Sequence, residues 1–86
     1  MIEIEYAPSF LKQLKKCEKR LQEEATEKIK LFRDRANHKM LEVHKLKGKL
    51  AGKYGFSVNY RDRVVFKWLA DNTAGLLAIG DHSVYD

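Results

Sequence analysis

Basic residues, two glycines and a histidine crowd into one run, His44-Lys45-Leu46-Lys47-Gly48-Lys49-Leu50-Ala51-Gly52-Lys53. Four lysines and a histidine in ten residues, with no acid among them, describe a site for phosphate. Spacing excludes several familiar chemistries. A nucleotide-binding phosphate loop needs four residues between its glycines and a Ser or Thr after the lysine, at the start of a helix. Here three residues separate Gly48 from Gly52, Tyr54 stands in the hydroxyl position, and a strand pattern follows. A two-metal nuclease needs paired carboxylates, and none stand beside the basic run. His38, His44, His82 and Cys17 are too scattered for a zinc site, so neither a metal nor a cofactor is expected. No Ser/His/Asp or Cys/His constellation emerges from the spacings.

What remains is histidine, tyrosine, lysine and arginine without acids. That set suits metal-independent cleavage of RNA. The ribose 2′-hydroxyl attacks the adjacent phosphate when a base takes its proton. Lys or Arg stabilises the charge developing at phosphorus, and an acid protonates the leaving 5′-oxygen. Histidine titrates near neutrality and can serve in either role. DNA lacks the 2′-hydroxyl, so such a site selects RNA.

The elements that must position these residues follow from hydrophobic period. Ile2, Ile4 and Tyr6 alternate with Glu3 and Glu5 as in a half-buried strand. Pro8 breaks it, and Ser9 is a candidate N-cap. Phe10, Leu11, Leu14, Cys17 and Leu21 recur at helical steps, as do Ala25, Ile29, Phe32 and Ala36. One helix over residues 9–36 would be about 42 Å long, too long for a domain with a radius of gyration of about 12 Å. Two antiparallel helices are therefore expected, breaking near residues 17–20. Glu23, Glu24 and Glu27 would then fall in the first turns of the second, and Asn37 would cap its end.

Residues 37–53 read as a connector pinned by Leu41, Val43, Leu46 and Leu50, with its lysines outward. Tyr54, Phe56, Val58 and Tyr60 form one alternating strand; Val64, Phe66 and Trp68 form the next. A three-residue tip, Arg61-Asp62-Arg63, would set Tyr60 against Val64, Val58 against Phe66 and Phe56 against Trp68. Asp71-Asn72-Thr73-Ala74-Gly75 is the next turn, and residues 76–79 are a buried final strand. The order is β-α-α-β-β-β. The fold class is α+β: an antiparallel twisted sheet with a helical hairpin on one face, and a single domain over residues 1–86.

At 86 residues the chain can bury only a modest core. A single cysteine rules out an intramolecular disulfide framework and fits a reducing compartment. No apolar run approaches a membrane span or a signal-peptide core, so a cytoplasmic protein with no membrane association is expected. The net charge is +5, and it is concentrated: residues 37–67 hold eight Lys or Arg against two acids, whereas residues 68–86 hold three acids and no base. Such a patch attracts nucleic acid or an acidic partner; a solvated surface would carry the same charges.

The whole chain resembles the RelE/ParE superfamily of bacterial type II toxins, in particular the RelE/YafQ-like messenger-RNA interferases. The pieces are Tyr6-Ala7-Pro8-Ser9-Phe10, a helical hairpin, His44-Lys45-Leu46-Lys47-Gly48, Arg61-Asp62-Arg63-Val64-Val65-Phe66, and Gly80-Asp81-His82-Ser83-Val84-Tyr85. The resemblance implies an endoribonuclease toxin that cuts messenger RNA in the ribosomal A site and is neutralised by a cognate antitoxin. It assigns His82 and His44 as acid and base, and Tyr85 to orient phosphate or stack on a base. Arg61 and Arg63 would stabilise charge, and Lys45, Lys47, Lys49 and Lys53 would hold the RNA backbone. Two alternatives belong to the same fold: a ParE-like, non-enzymatic inhibitor of DNA gyrase, and an RNA-binding module without catalysis. Each residue also has a plainer reading: a backbone-bonded loop histidine for His44, a domain-end histidine for His82, a core-closing aromatic for Tyr85, a solvated turn for the arginines. Trp68 and Phe66 read as core and His38 as surface.

Overall fold

A computed structural model describes residues 1–85. Strand β1 (Glu3–Tyr6) leads into helix α1 (Pro8–Lys16) and helix α2 (Lys19–Phe32). A two-residue strand β2 (His44–Lys45) then precedes β3 (Tyr54–Ser57), β4 (Arg63–Ala70) and β5 (Thr73–Gly80). The five strands lie in the order β1-β5-β4-β3-β2. The meander β3–β4–β5 is antiparallel as expected. The first strand joins it parallel, with Ile4 beside Ala74 and Tyr6 beside Leu76, so the sheet is mixed. The two helices between β1 and the meander supply the crossover that a parallel pair requires.

The helical break falls at Cys17 and Glu18, both extended at ψ 150° and 155°. No glycine is needed there because Gln22 reaches back to close the turn. Its amide donates to the carbonyls of Leu14 at 3.0 Å and Cys17 at 3.1 Å, adding to the Cys17 N–H that Leu14 O already accepts at 3.1 Å. The first turn of α2 carries no acid; Glu23, Glu24 and Glu27 begin one turn later than the pattern suggests. Asn37 does close the far end, donating to Leu31 O at 2.9 Å.

Ser9 is not the N-cap of α1. The helix starts at Pro8 behind Ala7 with no side-chain cap, and the Ser9 hydroxyl donates instead to Leu77 O at 2.8 Å. A β-bulge explains this. Val65 pairs with Ala78 but Phe66 pairs with Leu76, so Leu77 is the extra residue and its carbonyl is free. Gln13 takes the neighbouring Ile79 N–H at 2.9 Å, which docks α1 on the bulge.

The core lies between the helices and the sheet. Phe10, Phe32, Phe56 and Phe66 are all fully buried. Phe32 stacks on Phe56 at 4.7 Å and meets Phe66 edge-on at 4.8 Å. His38 belongs to this cluster rather than to the surface. Its ring stacks on Phe32 at 4.7 Å, and Nε2 bonds Phe32 O at 2.7 Å.

The hairpin register differs from the sequence expectation. Phe56 pairs with Val64 and Ser57 with Arg63, not Phe56 with Trp68. The connection is five residues, 58–62, because Asn59 builds a turn early. Its Oδ1 accepts the backbone N–H groups of Arg61 at 2.8 Å and Asp62 at 2.7 Å. Val58 remains buried while Tyr60 points outward. Arg63 therefore stands in the strand and only Arg61 at the tip. The final strand also starts earlier than expected, at Thr73, leaving Asp71-Asn72 as the turn.

Candidate functional site

The site lies where β3 ends, where β4 begins and where the chain returns after β5. A groove of about 800 Å³ opens there, walled by Lys28, Glu42, Ser57, Tyr60, Arg63 and His82 among others. Arg63 is fixed at its base. Nη1 donates to Asn59 O at 2.7 Å and Asp62 O at 3.0 Å, the two carbonyls the five-residue turn directs inward. Nη2 meets His82 Nε2 at 3.3 Å. A guanidinium can only donate, so His82 Nε2 is the acceptor and the ring proton sits on Nδ1. Three of the five guanidinium N–H groups are thus engaged, leaving two for an anion.

His82 opens a 3₁₀ turn, His82–Tyr85. Asp81 organises it: one carboxylate oxygen accepts from Ser83 N at 2.9 Å and Ser83 Oγ at 2.7 Å. Those two bonds hold the Asp81 carboxyl below its ordinary pKa. Tyr85 at the end of the turn packs back on the sheet. It sits over Gly55, where an added Cβ would come within 2.8 Å of its ring carbons, so only glycine leaves room for it. The hydroxyl is buried and has no hydrogen-bond partner among the described residues. Burial pushes the phenol pKa up, against the pull of Arg63 and with the help of Glu42.

The Tyr85 ring joins the two histidines. His44 meets it edge-on at 5.6 Å and His82 at 6.4 Å. His44 lies opposite Gly55 in β2. Its Nδ1 bonds Glu42 O at 2.7 Å; a carbonyl can only accept, so Nδ1 carries the proton and Nε2 is left open.

Of the residues singled out in the sequence, Arg61, Arg63 and His82 face one groove, and Tyr85 links them to His44. Arg61 is largely exposed, with Nε 3.6 Å from the carboxylate of Asp62, which is itself 6% exposed. The lysines stand apart. Lys45 is in β2, Lys47 and Lys49 flank or lie in the 3₁₀ turn Gly48–Leu50, and Lys53 bonds Leu46 through its backbone. None of the four lines the groove. The basic run is a bank beside the site rather than one of its walls.

Three groove residues escape the sequence reading. Lys28 comes from α2 and gives no signal beyond being one lysine in an amphipathic helix. Asn59 is recognisable as a turn former. Glu42 is the only acid between Asp34 and Asp62, a signal that the sequence does carry. Among the described residues no three His, Cys, Asp or Glu side chains come together as a metal ion would require, and no helix is long and apolar enough to cross a membrane.

No protein-family model matches the sequence, and no curated protein matches it either. Solved structures do match its fold. YafQ from E. coli strain BL21(DE3) superposes with a TM-score of 0.74 at 20% identity, over 98% of this chain and 97% of that one. The YoeB-YefM toxin-antitoxin complex from Staphylococcus aureus gives 0.71 at 22% identity, covering 95% and 98%. A YoeB/ParE toxin from Agrobacterium tumefaciens gives 0.67 at 15% identity, covering 94% and 99%. The chain shares the α+β fold of these YafQ and YoeB toxins over 94–98% of its length.

Proposed function

We propose that this chain is the toxin of a type II toxin-antitoxin pair, an endoribonuclease that cuts messenger RNA on the ribosome without a metal ion. The observation that carries the reading is His82 held through Nε2 on a guanidinium that still has two donors to offer. A phosphate drawn to Arg63 competes for the bond to His82. That frees the Nε2 lone pair to take the 2′-hydroxyl proton. The 2′-oxygen attacks phosphorus and the P–O5′ bond breaks, giving a 2′,3′-cyclic phosphate and a 5′-hydroxyl. The leaving oxygen needs a proton, and His44 in its imidazolium form, with Nδ1–H held by Glu42 O, is the candidate donor through Nε2–H. Tyr85 sets the two imidazoles in relation to one another. Arg61 reaches neighbouring phosphates, and the bank of Lys45, Lys47, Lys49 and Lys53 draws in RNA at longer range.

A structural neighbour is a toxin bound to its antitoxin, YoeB with YefM. By analogy the partner of this chain is a cognate antitoxin whose acidic segment folds onto a chain of net charge +5. The ribosome as target would place the protein in the cytoplasm. A gyrase inhibitor on this fold would have no use for two imidazoles each held by a hydrogen bond through one ring nitrogen, and a silent RNA-binding module would have no use for a histidine on an arginine.

Primer extension on ribosome-bound messages after induction tests the reading. Wild type should produce discrete cuts and arrest growth, and His82→Ala should lose both. Growth arrest with intact messages and inhibited supercoiling would favour the gyrase reading instead.

A further inference from the structure

Glu42 is an acid inside a site for an anion. It lines the groove with Arg63 and His82, in a chain of net charge +5, and would repel a phosphate brought against it. Yet its position is closely fixed. It is the one non-glycine residue with positive φ among those described, at 58°, a conformation that side chains disfavour and that persists only when neighbours hold it. Four contacts do so. Glu42 N donates to Lys39 O at 3.1 Å, and Ser57 N donates to Leu41 O at 2.8 Å. His44 Nδ1 donates to Glu42 O at 2.7 Å, and Ser57 Oγ donates to Glu42 Oε1 at 2.8 Å. Among the described residues no cation lies within ion-pair distance of its carboxylate. One oxygen and the second lone pair of the other are free to accept.

We propose that Glu42 reads a guanine base in the groove, beside the phosphate at Arg63, with Tyr60 as the stacking face; this rests on the ribonuclease reading above. The chemistry selects the base. Guanine places N1–H and N2–H₂ side by side on its Watson–Crick edge, two donors for the two oxygens of a carboxylate. Adenine and cytosine set one donor beside a ring-nitrogen acceptor, and uracil flanks its N3–H with two carbonyls. Each of these turns an acceptor toward the carboxylate. Single-stranded RNA offers this edge because its bases can be splayed and stacked on aromatic rings. Tyr60 suits the stacking role because it is 96% exposed and stands on the rim of the same groove. The carboxylate is thus a specificity element, placed where the base lies and not where the phosphate does.

The test is titration of the ¹⁵N-labelled protein with the four nucleoside 3′,5′-bisphosphates, following the amides of Glu42, Ser57 and Tyr60, with cleavage of matched RNAs on ribosomes measured in parallel. In wild type the guanosine compound should bind roughly 5- to 140-fold tighter than the other three, the discrimination of one bidentate base contact. Glu42→Gln presents one acceptor and one donor and should move the preference from guanosine to adenosine and cytidine. Tyr60→Ala should weaken all four alike. Absence of base preference in wild type, a guanine preference that survives Glu42→Gln, or groove amides that do not respond to any of the four would overturn the proposal. A uniform loss of cleavage in Glu42→Gln with binding preference unchanged would assign the carboxylate to proton transfer and overturn it too. Guanine-selective binding without any cleavage would instead refute the ribonuclease reading and leave the base site standing.

Discussion

Replacing Tyr85 by phenylalanine should make the protein more stable and less active. The hydroxyl of Tyr85 is buried over Gly55 without a partner among the described residues. A buried hydroxyl left unsatisfied costs about 1–3 kcal/mol, and the half-buried ring around it points to the lower end, about 1 kcal/mol. In a domain of this size that is roughly 4–8 °C in Tm. Thermal unfolding followed by circular dichroism near neutral pH, where the phenol is protonated in both states, reads the gain directly. A pH series adds a second signature. Burial raises the phenol pKa above 10.0 in the folded protein. Its neutral form is therefore favoured by folding, and the contribution is complete below the unfolded value and lost as pH rises through the folded one, because the unfolded chain releases its proton first. The stability gap between Tyr85→Phe and wild type should widen as pH rises from the unfolded value to the folded one and level off beyond it. Cleavage should fall roughly 10- to 100-fold if the hydroxyl turns to the substrate phosphate, the worth of one charge-assisted hydrogen bond. A Tyr85→Phe variant no more stable than wild type, with no widening at high pH, would refute an unsatisfied hydroxyl. Full activity would refute its role with substrate.

Two further substitutions test how the arginine is held. Arg63→Lys keeps the charge but loses the fork that spans Asn59 O, Asp62 O and His82; stability should drop by about 1–2 kcal/mol in urea unfolding, and single-turnover cleavage should fall more than binding does. Asn59→Ala removes two bonds to the turn and the one from Nδ2 to Glu24 Oε1 at 3.0 Å; it should cost about 2 kcal/mol and, by releasing the carbonyls that seat Arg63, lower cleavage without touching any group that meets substrate.

Much of the fold was legible because it rests on period. The two helices, the meander and the helical face of the core follow from apolar spacing, and the helical break follows from length alone. The misplaced features depend on single side chains acting at a distance. Asn59 ends β3 before the apolar alternation does, because its carboxamide offers the backbone a better partner than the next strand. Ser9 looks like a cap and is drawn to Leu77 by a bulge that no local pattern announces. The site divided along the same line. His44, His82, Tyr85, Arg61 and Arg63 stand out by type. Lys28 and Glu42 reach the groove only because of how helix and strand are set, and composition weighted the lysines that stand beside it.

The two arginines of the hairpin carry the same charge but are held differently, and Asp62 makes the difference. Its carbonyl helps seat Arg63, whose side chain is bound to two main-chain oxygens and a histidine and has little freedom left to lose. Its nearly buried carboxylate lies 3.6 Å from Arg61 Nε, a longer and largely solvated contact that restrains Arg61 only loosely. A fixed guanidinium suits the reacting phosphate, where charge must meet a defined geometry and reorganisation is costly. A loosely held one suits the neighbouring phosphates of a flexible chain, where only proximity is required. Backbone carbonyls do most of the positioning, for His44 and Arg63 alike. The length of the turn at residues 58–62 is therefore as much a part of the site as the residues that face the groove.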